Sequence, residues 1–205
     1  FLVSFLCTQS GNWEIRGTER MHNRPIGELV DALKNLKANI NYLGKVGFPP
    51  LKINGTNLSG GKISIDGSSS SQFISSLLMI APTMEQGLEL SITGKIVSEP
   101  YIDMTLKMMK YFGIGHTRNS NSIWIEHGKY IPSDYSIEGD WSSAANIYSH
   151  IACSPIGTKI LIRNLAIDSW QGDKNCLEYF SPFGVESKIT NNGLEITKKT
   201  KHKTS

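Results

Sequence analysis

Apolar residues along this chain fall into short runs of two kinds, helical and alternating. Ile26, Leu29, Val30, Leu33 and Leu36 keep helical spacing, with Glu28, Asp31, Lys34 and Lys37 on the other side, which predicts an amphipathic helix. Pro25 suits the first turn of that helix, where a missing N–H costs nothing. Phe73, Ile74, Leu77, Leu78 and Ile80 leave little polar face and predict a fully buried helix. Alternating or short apolar runs at Leu88–Ile92, Ser122–Ile125, Lys159–Ile162 and Gly193–Ile196 predict strands.

These elements recur. Ile63-Ser64-Ile65-Asp66-Gly67-Ser68-Ser69-Ser70-Ser71-Gln72 lies over Tyr135-Ser136-Ile137-Glu138-Gly139-Asp140-Trp141-Ser142-Ser143-Ala144 at an offset of 72. Tyr111-Phe112-Gly113-Ile114 lies over Pro182-Phe183-Gly184-Val185 at an offset of 71. The repeated unit reads β-α-β-α-β-β, and two complete copies are expected, over 60–126 and 134–197. A partial copy fills 1–54, with Phe1–Cys7 as the end of a helix and Trp13–Arg16 as the next strand. Arg24-Pro25-Ile26 sits over Glu99-Pro100-Tyr101, and Ala38-Asn39-Ile40 over Phe112-Gly113-Ile114. A repeat that begins midway leaves an apolar face uncovered, so the chain reads as truncated at its N-terminus. No Pro/Gly/Ser-rich linker divides it, and one α/β domain over 1–205 is expected.

Composition narrows the class. The 205 residues are 39% hydrophobic and 19% charged, which excludes a disordered chain. No segment approaches the ~20 apolar residues of a membrane span. Phe1–Leu6 lacks the basic lead-in and cleavage pattern of a signal peptide. The net charge of +3 comes from Lys198, Lys199, Lys201 and Lys203, read as a solvated basic tail over 198–205. Without them the body holds 17 basic against 18 acidic side chains, so no nucleic-acid partner is implied. Cys7, Cys153 and Cys176 are far apart and odd in number, which fits buried, reduced thiols better than a disulfide or zinc framework.

Candidate chemistry lies in the loops that open helices. Asp66–Gln72 reads either as a polar loop with a serine cap or as an anion site. In the second reading, free helix N–H groups stand beside hydroxyls and an amide. Arg20 and Arg24, just before a helix, read as surface residues paired with Glu19 or Asp31, or as a fork for carboxylate or phosphate. His22 reads as a solvent-facing loop residue. Ser98 and Tyr101 occupy the corresponding place one repeat later, as a cap and a partly buried phenol or as the lining of a polar ligand. Gln171-Gly172-Asp173 is explained by turn-making, and Asp140 more readily by capping than by acid/base work. No metal cluster, Ser/His/Asp constellation or GxGxxG loop is visible.

Five segments, in order, resemble the 5-enolpyruvylshikimate 3-phosphate synthase family. They are Arg20–Leu33, Gly47-Phe48-Pro49-Pro50-Leu51, Gly67–Phe73, Val97-Ser98-Glu99-Pro100-Tyr101-Ile102-Asp103 and Glu138–Ala144, so that the resemblance covers essentially the whole chain. It implies an inside-out α/β barrel-like domain of β-α-β-α-β-β repeats around buried helices, one of two domains that share a cleft. It implies transfer of the enolpyruvyl group of phosphoenolpyruvate to the 5-hydroxyl of shikimate 3-phosphate, with release of phosphate and no cofactor. This is a cytoplasmic step of aromatic amino-acid biosynthesis and the target of glyphosate. Carried over by position, Ser70, Ser71, Gln72, Ser98 and Tyr101 would bind shikimate 3-phosphate, and Arg24 and Gln72 would meet phosphoenolpyruvate.

In that family the acid/base residues come from the other domain, so none is assigned in this chain, which is expected to be inactive without that domain. Glu99 departs from the family pattern, where Lys is frequent, and is expected to weaken anion attraction; Trp141 departs as a packing change. Two other readings stand beside this one. One is a non-catalytic domain binding shikimate 3-phosphate. The other is the sister UDP-N-acetylglucosamine enolpyruvyl transferase, which is disfavoured because Glu19 stands where that family carries a catalytic Cys.

Overall fold

A computed structural model describes residues 1–201 and divides the chain into two compact units, Phe1–Ser133 and Asp134–Ser205, where one domain was expected. The division falls between the second and third expected repeats.

The first unit opens with α1 (Leu2–Cys7), β1 (Gly11–Ile15), α2 (Glu19–His22), α3 (Gly27–Asn35), β2 (Asn39–Tyr42) and β3 (Leu51–Gly55). The three strands form one antiparallel sheet in the order β1-β3-β2, with Trp13 opposite Ile53 and Ile40 opposite Ile53. The second copy supplies β4 (Gly61–Asp66), α4 (Ser71–Ile80), β5 (Leu88–Thr93), α5 (Glu99–Tyr111), β6 (Thr117–Arg118) and β7 (Ser122–Ile125). These strands form a sheet in the order β4-β5-β7-β6, in which β4 and β5 run parallel. The β-α-β-α-β-β reading of this copy therefore stands element for element.

Each pattern folds for the reason its spacing gives. Leu29, Val30 and Leu33 of α3 are buried while Glu28, Asp31 and Lys34 face solvent. Pro25 lies ahead of the N-cap Ile26 rather than in the first turn, and the N–H of Ile26 is held by the Gly47 carbonyl at 2.8 Å. In α4, Ile74, Ser75, Ser76, Leu77, Leu78 and Ile80 are buried, and only Gln72 and Met79 are exposed. The Ser4 and Ser76 hydroxyls meet between α1 and α4, and the Thr105 hydroxyl donates to that of Ser75 between α5 and α4.

The amphipathic helices stop in the same way. After α3, the N–H of Ala38 reaches the Leu33 carbonyl and that of Lys37 reaches Lys34; Lys37 has φ 69°. After α5, Ile114 bonds Met109 and Gly113 bonds Lys110, with Gly113 at φ 85°. Both are left-handed helix stops with a buried apolar residue following. Ala38 thus matches Ile114 rather than Phe112, and the expected superposition of these segments is displaced by two residues.

The second unit holds α6 (Trp141–Ala152), β8 (Lys159–Ile162), α7 (Cys176–Tyr179), β9 (Val185–Thr190) and β10 (Gly193–Lys198), with strand order β8-β10-β9. Its core gathers Trp141, Ala144, Tyr148, Ile151, Cys176, Val185, Leu194 and Ile196. Three expectations change here. Tyr135-Ser136-Ile137 forms no strand, and Ile137 is 84% exposed, although the Gly139 N–H still bonds the Asn164 carbonyl at 2.5 Å. The expected second helix shrinks to α7 between 3-10 turns at Gly172–Asn175 and Ser181–Phe183, because Gly172 and Pro182 interrupt it. Lys198 belongs to β10 rather than to a tail: its ammonium is buried and donates to the carbonyls of Ala152 and Phe183 at 2.7 and 2.6 Å. Lys199 and Lys201 follow the strand, and Lys203 lies outside the described residues.

Cys7 and Cys176 are buried but Cys153 is exposed, contrary to expectation, and all three are free thiols. Burial pushes the Cys7 thiol up to about 12. No helix among the described residues is long and apolar enough to cross a membrane.

Candidate functional site

Two helices of the first unit begin at one edge of one sheet. Strands β4 and β5 run in register from Gly61 opposite Leu88 to Asp66 opposite Thr93. Their carboxyl ends lie side by side, so the loops opening α4 and α5 emerge together. That edge is where ligands of α/β folds commonly sit. Backbone bonds clamp the two loops: the Gly67 N–H donates to the Thr93 carbonyl at 2.7 Å, and the Gly67 carbonyl accepts from the Val97 N–H at 3.2 Å. A Cβ on Gly67 would sit 3.0 Å from the Lys95 backbone, so a larger residue there would press the two loops apart.

The first loop is organised around Asp66. Its Oδ1 accepts from the backbone N–H of Ser68 at 2.7 Å and from the Ser68 hydroxyl at 2.5 Å. Those bonds hold the Asp66 carboxyl below the usual carboxylate range. Ser70 is the N-cap of α4, its Oγ accepting from the Gln72 N–H at 3.3 Å. Ser71 follows half-buried and Gln72 exposed. Ser69 is buried, and its Oγ has no hydrogen-bond partner. The site edge thus holds hydroxyls, an amide and the N-terminus of a ten-residue helix.

The second loop brings Ser98 and Tyr101. Ser98 is the N-cap of α5 without a capping side-chain bond, so its hydroxyl is not engaged there. Tyr101 is 46% exposed, and its carbonyl accepts from Thr105 Oγ1, the hydroxyl that also donates to Ser75. The expected residues Ser70, Ser71, Gln72, Ser98 and Tyr101 therefore open two helices whose loops are bonded together. Arg24 is exposed ahead of α3, and no hydrogen bond or ion pair joins it to these residues among those described. Neither Arg20 nor Arg24 forms an ion pair with Glu19 or Asp31. His22 is half-buried rather than solvent-facing, and its Nε2 accepts from the Gly17 N–H at 3.3 Å.

One charged cluster at this edge is not anticipated. Arg118 of β6 forks onto α5, with one nitrogen 2.6 Å from Glu99 Oε1 and the other bonded to Asp103 Oδ1. The legible signal is Glu99 and Asp103 four residues apart on one helix face. A cavity of about 390 Å³ lies at the other end of α5, lined by residues that include His116, Trp124 and His127.

In the second unit the corresponding residues are structural. Asp140 caps α6, accepting from the Ser142 and Ser143 N–H groups at 3.1 Å each. The Ser143 hydroxyl and these amides hold its carboxyl low. Gln171 Oε1 accepts from the Trp141 N–H, and its amide donates to Glu138 and to the Gly139 carbonyl. Trp141 is fully buried with its indole N–H on the Ala166 carbonyl, which makes it a packing residue. No group of His, Cys, Asp and Glu among the described residues could hold a metal ion.

The model of the EPSP synthase (3-phosphoshikimate 1-carboxyvinyltransferase) family matches residues 1–205. A 3-phosphoshikimate 1-carboxyvinyltransferase of Bacteroides fragilis (strain YCH46) is 43% identical over 199 residues, 97% of this chain and 48% of the relative. One from Marinomonas sp. (strain MWYL1) is 40% identical over 188 residues, 90% of this chain and 44% of the relative. The chain thus spans about half the length of the curated relatives it matches. The solved EPSP synthase of Acinetobacter baumannii shares the fold with a TM-score of 0.72 at 22% identity, over 98% of this chain and 46% of that one.

Proposed function

This chain belongs to the EPSP synthase family, and we propose that it carries the shikimate 3-phosphate half-site of a 3-phosphoshikimate 1-carboxyvinyltransferase. The observation that carries the reading is the bonded pair of loops that opens α4 and α5 at one sheet edge.

The roles follow from the chemistry of each group. A phosphate is an acceptor-rich anion, and the N-terminus of α4 presents it with the favourable end of the helix dipole. Ser70 and Ser71 add hydroxyl donors at that terminus. Ser98 and Tyr101 stand on the neighbouring helix, where a hydroxyl and a phenol suit the ring hydroxyls and carboxylate of shikimate. Gln72, exposed at the first turn of α4, reaches toward both substrates, and Arg24 supplies a forked cation for phosphoenolpyruvate.

The reaction requires a proton for the methylene carbon of phosphoenolpyruvate and removal of one from the 5-hydroxyl of shikimate 3-phosphate. The 5-oxygen bonds to C2 of phosphoenolpyruvate as the methylene carbon takes its proton; the tetrahedral adduct then gives a proton back from that carbon as the C2–O bond to phosphate breaks, which restores the double bond and releases inorganic phosphate. At this edge the Asp66 carboxyl is engaged by Ser68, which holds it below the usual carboxylate range and makes it a weak base. The groups for the proton transfers belong to the other half of the enzyme, its natural partner in the cytoplasm. The chain alone therefore binds shikimate 3-phosphate weakly and turns nothing over.

The test is an NMR titration of this chain with shikimate 3-phosphate, with shikimate as the control. Saturable shifts at Ser70–Gln72 and Tyr101, stronger with the phosphorylated ligand, are expected. A well-dispersed spectrum that does not respond would overturn the reading.

A further inference from the structure

Glu99 sets a puzzle for the proposed anion site. It is the first residue of α5, next to Ser98 and two residues before Tyr101. Asp103 stands one turn further along the same face. Two carboxylates beside a phosphate dianion would repel it, the more so at low salt.

Arg118 answers both at once. Its guanidinium spans the two, with one nitrogen 2.6 Å from Glu99 and the other on Asp103. The Arg118 side chain is 23% exposed, against 55% for Glu99 and 45% for Asp103, so the cation lies beneath its partners and against the fold. Its position is fixed by the β6–β7 hairpin, where Arg118 pairs with Ile123 and Thr117 with Trp124. β7 in turn pairs with β5, the strand whose end leads into Ser98. The arginine therefore ties the first turn of α5 back to the sheet that carries the site. Lysine, a point donor, could not span the two carboxylates in this way.

We propose that Arg118 is a positioning residue for the phosphorylated substrate that acts through Glu99 and Asp103: it offsets their charge beside the phosphate site. The inference rests on the reading of this edge as the shikimate 3-phosphate half-site. On it, the acidic residue at position 99 is compatible with anion binding only because Arg118 stands across from it.

The test compares dissociation constants of shikimate 3-phosphate and of shikimate on the 205-residue chain, by NMR titration at low salt. Arg118→Met is expected to weaken shikimate 3-phosphate about fivefold while shikimate changes by less than about twofold. Adding Glu99→Gln and Asp103→Asn to that variant should restore the phosphorylated ligand to within about twofold of the wild type. If Arg118→Met does not fold, Glu99→Gln with Asp103→Asn in the presence of Arg118 gives the same information. It leaves an unpaired cation near the anion and should tighten shikimate 3-phosphate alone, by about threefold.

Equal weakening of both ligands by Arg118→Met, or no response of the phosphorylated ligand in either variant, would overturn the role of Arg118 and leave the half-site intact. A wild-type chain that binds neither ligand would instead overturn the half-site itself, and the inference with it.

Discussion

Ser4 and Ser76 belong to the inner helices of the first two repeats, and their side chains meet: the Ser4 hydroxyl donates to Ser76 Oγ at 2.9 Å in the buried contact of α1 with α4. Ser76 in turn donates to the Phe73 carbonyl at 2.9 Å. A pair of hydroxyls thus joins the two inner helices across an otherwise apolar contact. A hydroxyl tolerates burial only while it is paired, so this pair specifies how the two inner helices register.

The chain of donors makes the two serines unequal. Ser76→Ala strands the Ser4 hydroxyl in the core and is expected to cost about 1–3 kcal/mol. Ser4→Ala leaves Ser76 bonded to Phe73 and should cost less, about 0.5–1.5 kcal/mol. Removing both hydroxyls leaves nothing unpaired, so the double variant should be less destabilised than the two single costs added together. Urea unfolding of the four proteins checks this; strict additivity would mean that the hydroxyls do not act as a pair.

The stop after α3 offers a stabilising change. Lys37 holds φ 69°, where Gly113 holds 85° in the equivalent stop after α5. A β-carbon in the left-handed region costs about 1 kcal/mol, so Lys37→Gly should raise the stability of the chain by about 0.5–1 kcal/mol. The reverse change at Gly184, also left-handed at φ 72°, is expected to be severe, because a Cβ there would lie 2.1 Å from the Thr200 carbonyl oxygen. Thermal melts of Lys37→Gly and Gly184→Ala should move in opposite directions.

What the sequence made legible, and what it did not, follows from where information is local. The second repeat was readable throughout, because α4, α5 and β5 each carry an uninterrupted period and Gly67 and Ser70 mark the loop between strand and helix. The third misled. Tyr135-Ser136-Ile137 has strand residues but forms no strand among the described residues, since pairing depends on a neighbour rather than on the segment itself. Lys198 was grouped with the lysines that follow it, although alternation along Leu194, Ile196 and Lys198 continues β10 and takes its ammonium to two carbonyls. At the site, the helix-opening residues were legible because caps have local signatures. Arg118 was not, because its meaning lies in residues 19 and 15 positions earlier.

Acid should weaken the first unit through His116. Burial, then the cations Lys110 and Arg118, lower its pKa from 6.5, against a smaller opposing effect of Asp103. Its Nδ1 is buried without a hydrogen-bond partner. The unfolded chain therefore binds the proton more readily than the folded one. The stability His116 contributes is complete above pH 6.5 and is lost as pH falls through that value toward the lower folded pKa. His116→Gln should flatten the part of the stability-pH curve that falls as pH drops below 6.5. An unchanged slope would show that another group dominates.

The contact between the two site loops can be loosened without touching a proposed ligand-binding side chain. Gly67 lies between the loops that open α4 and α5, bonded to Thr93 on one side and Val97 on the other. Gly67→Ala would place a methyl group 3.0 Å from the Lys95 backbone and 3.1 Å from Ile92 Cγ2, closer than such atoms settle. Backbone on one side cannot yield by changing rotamer, so the Lys95–Ser98 segment must move, at a cost of about 1–3 kcal/mol of overpacking. Ser98 and Tyr101 move with it, whereas Ser70 keeps its cap on α4. The variant should fold, lose a few degrees of thermal stability and bind shikimate 3-phosphate at least about tenfold more weakly, the scale set by 1.4 kcal/mol of misplacement. If the ligand bound with unchanged affinity despite the lower melting temperature, the two loops would not be acting on one molecule, and Ser98 and Tyr101 would have to be removed from the site.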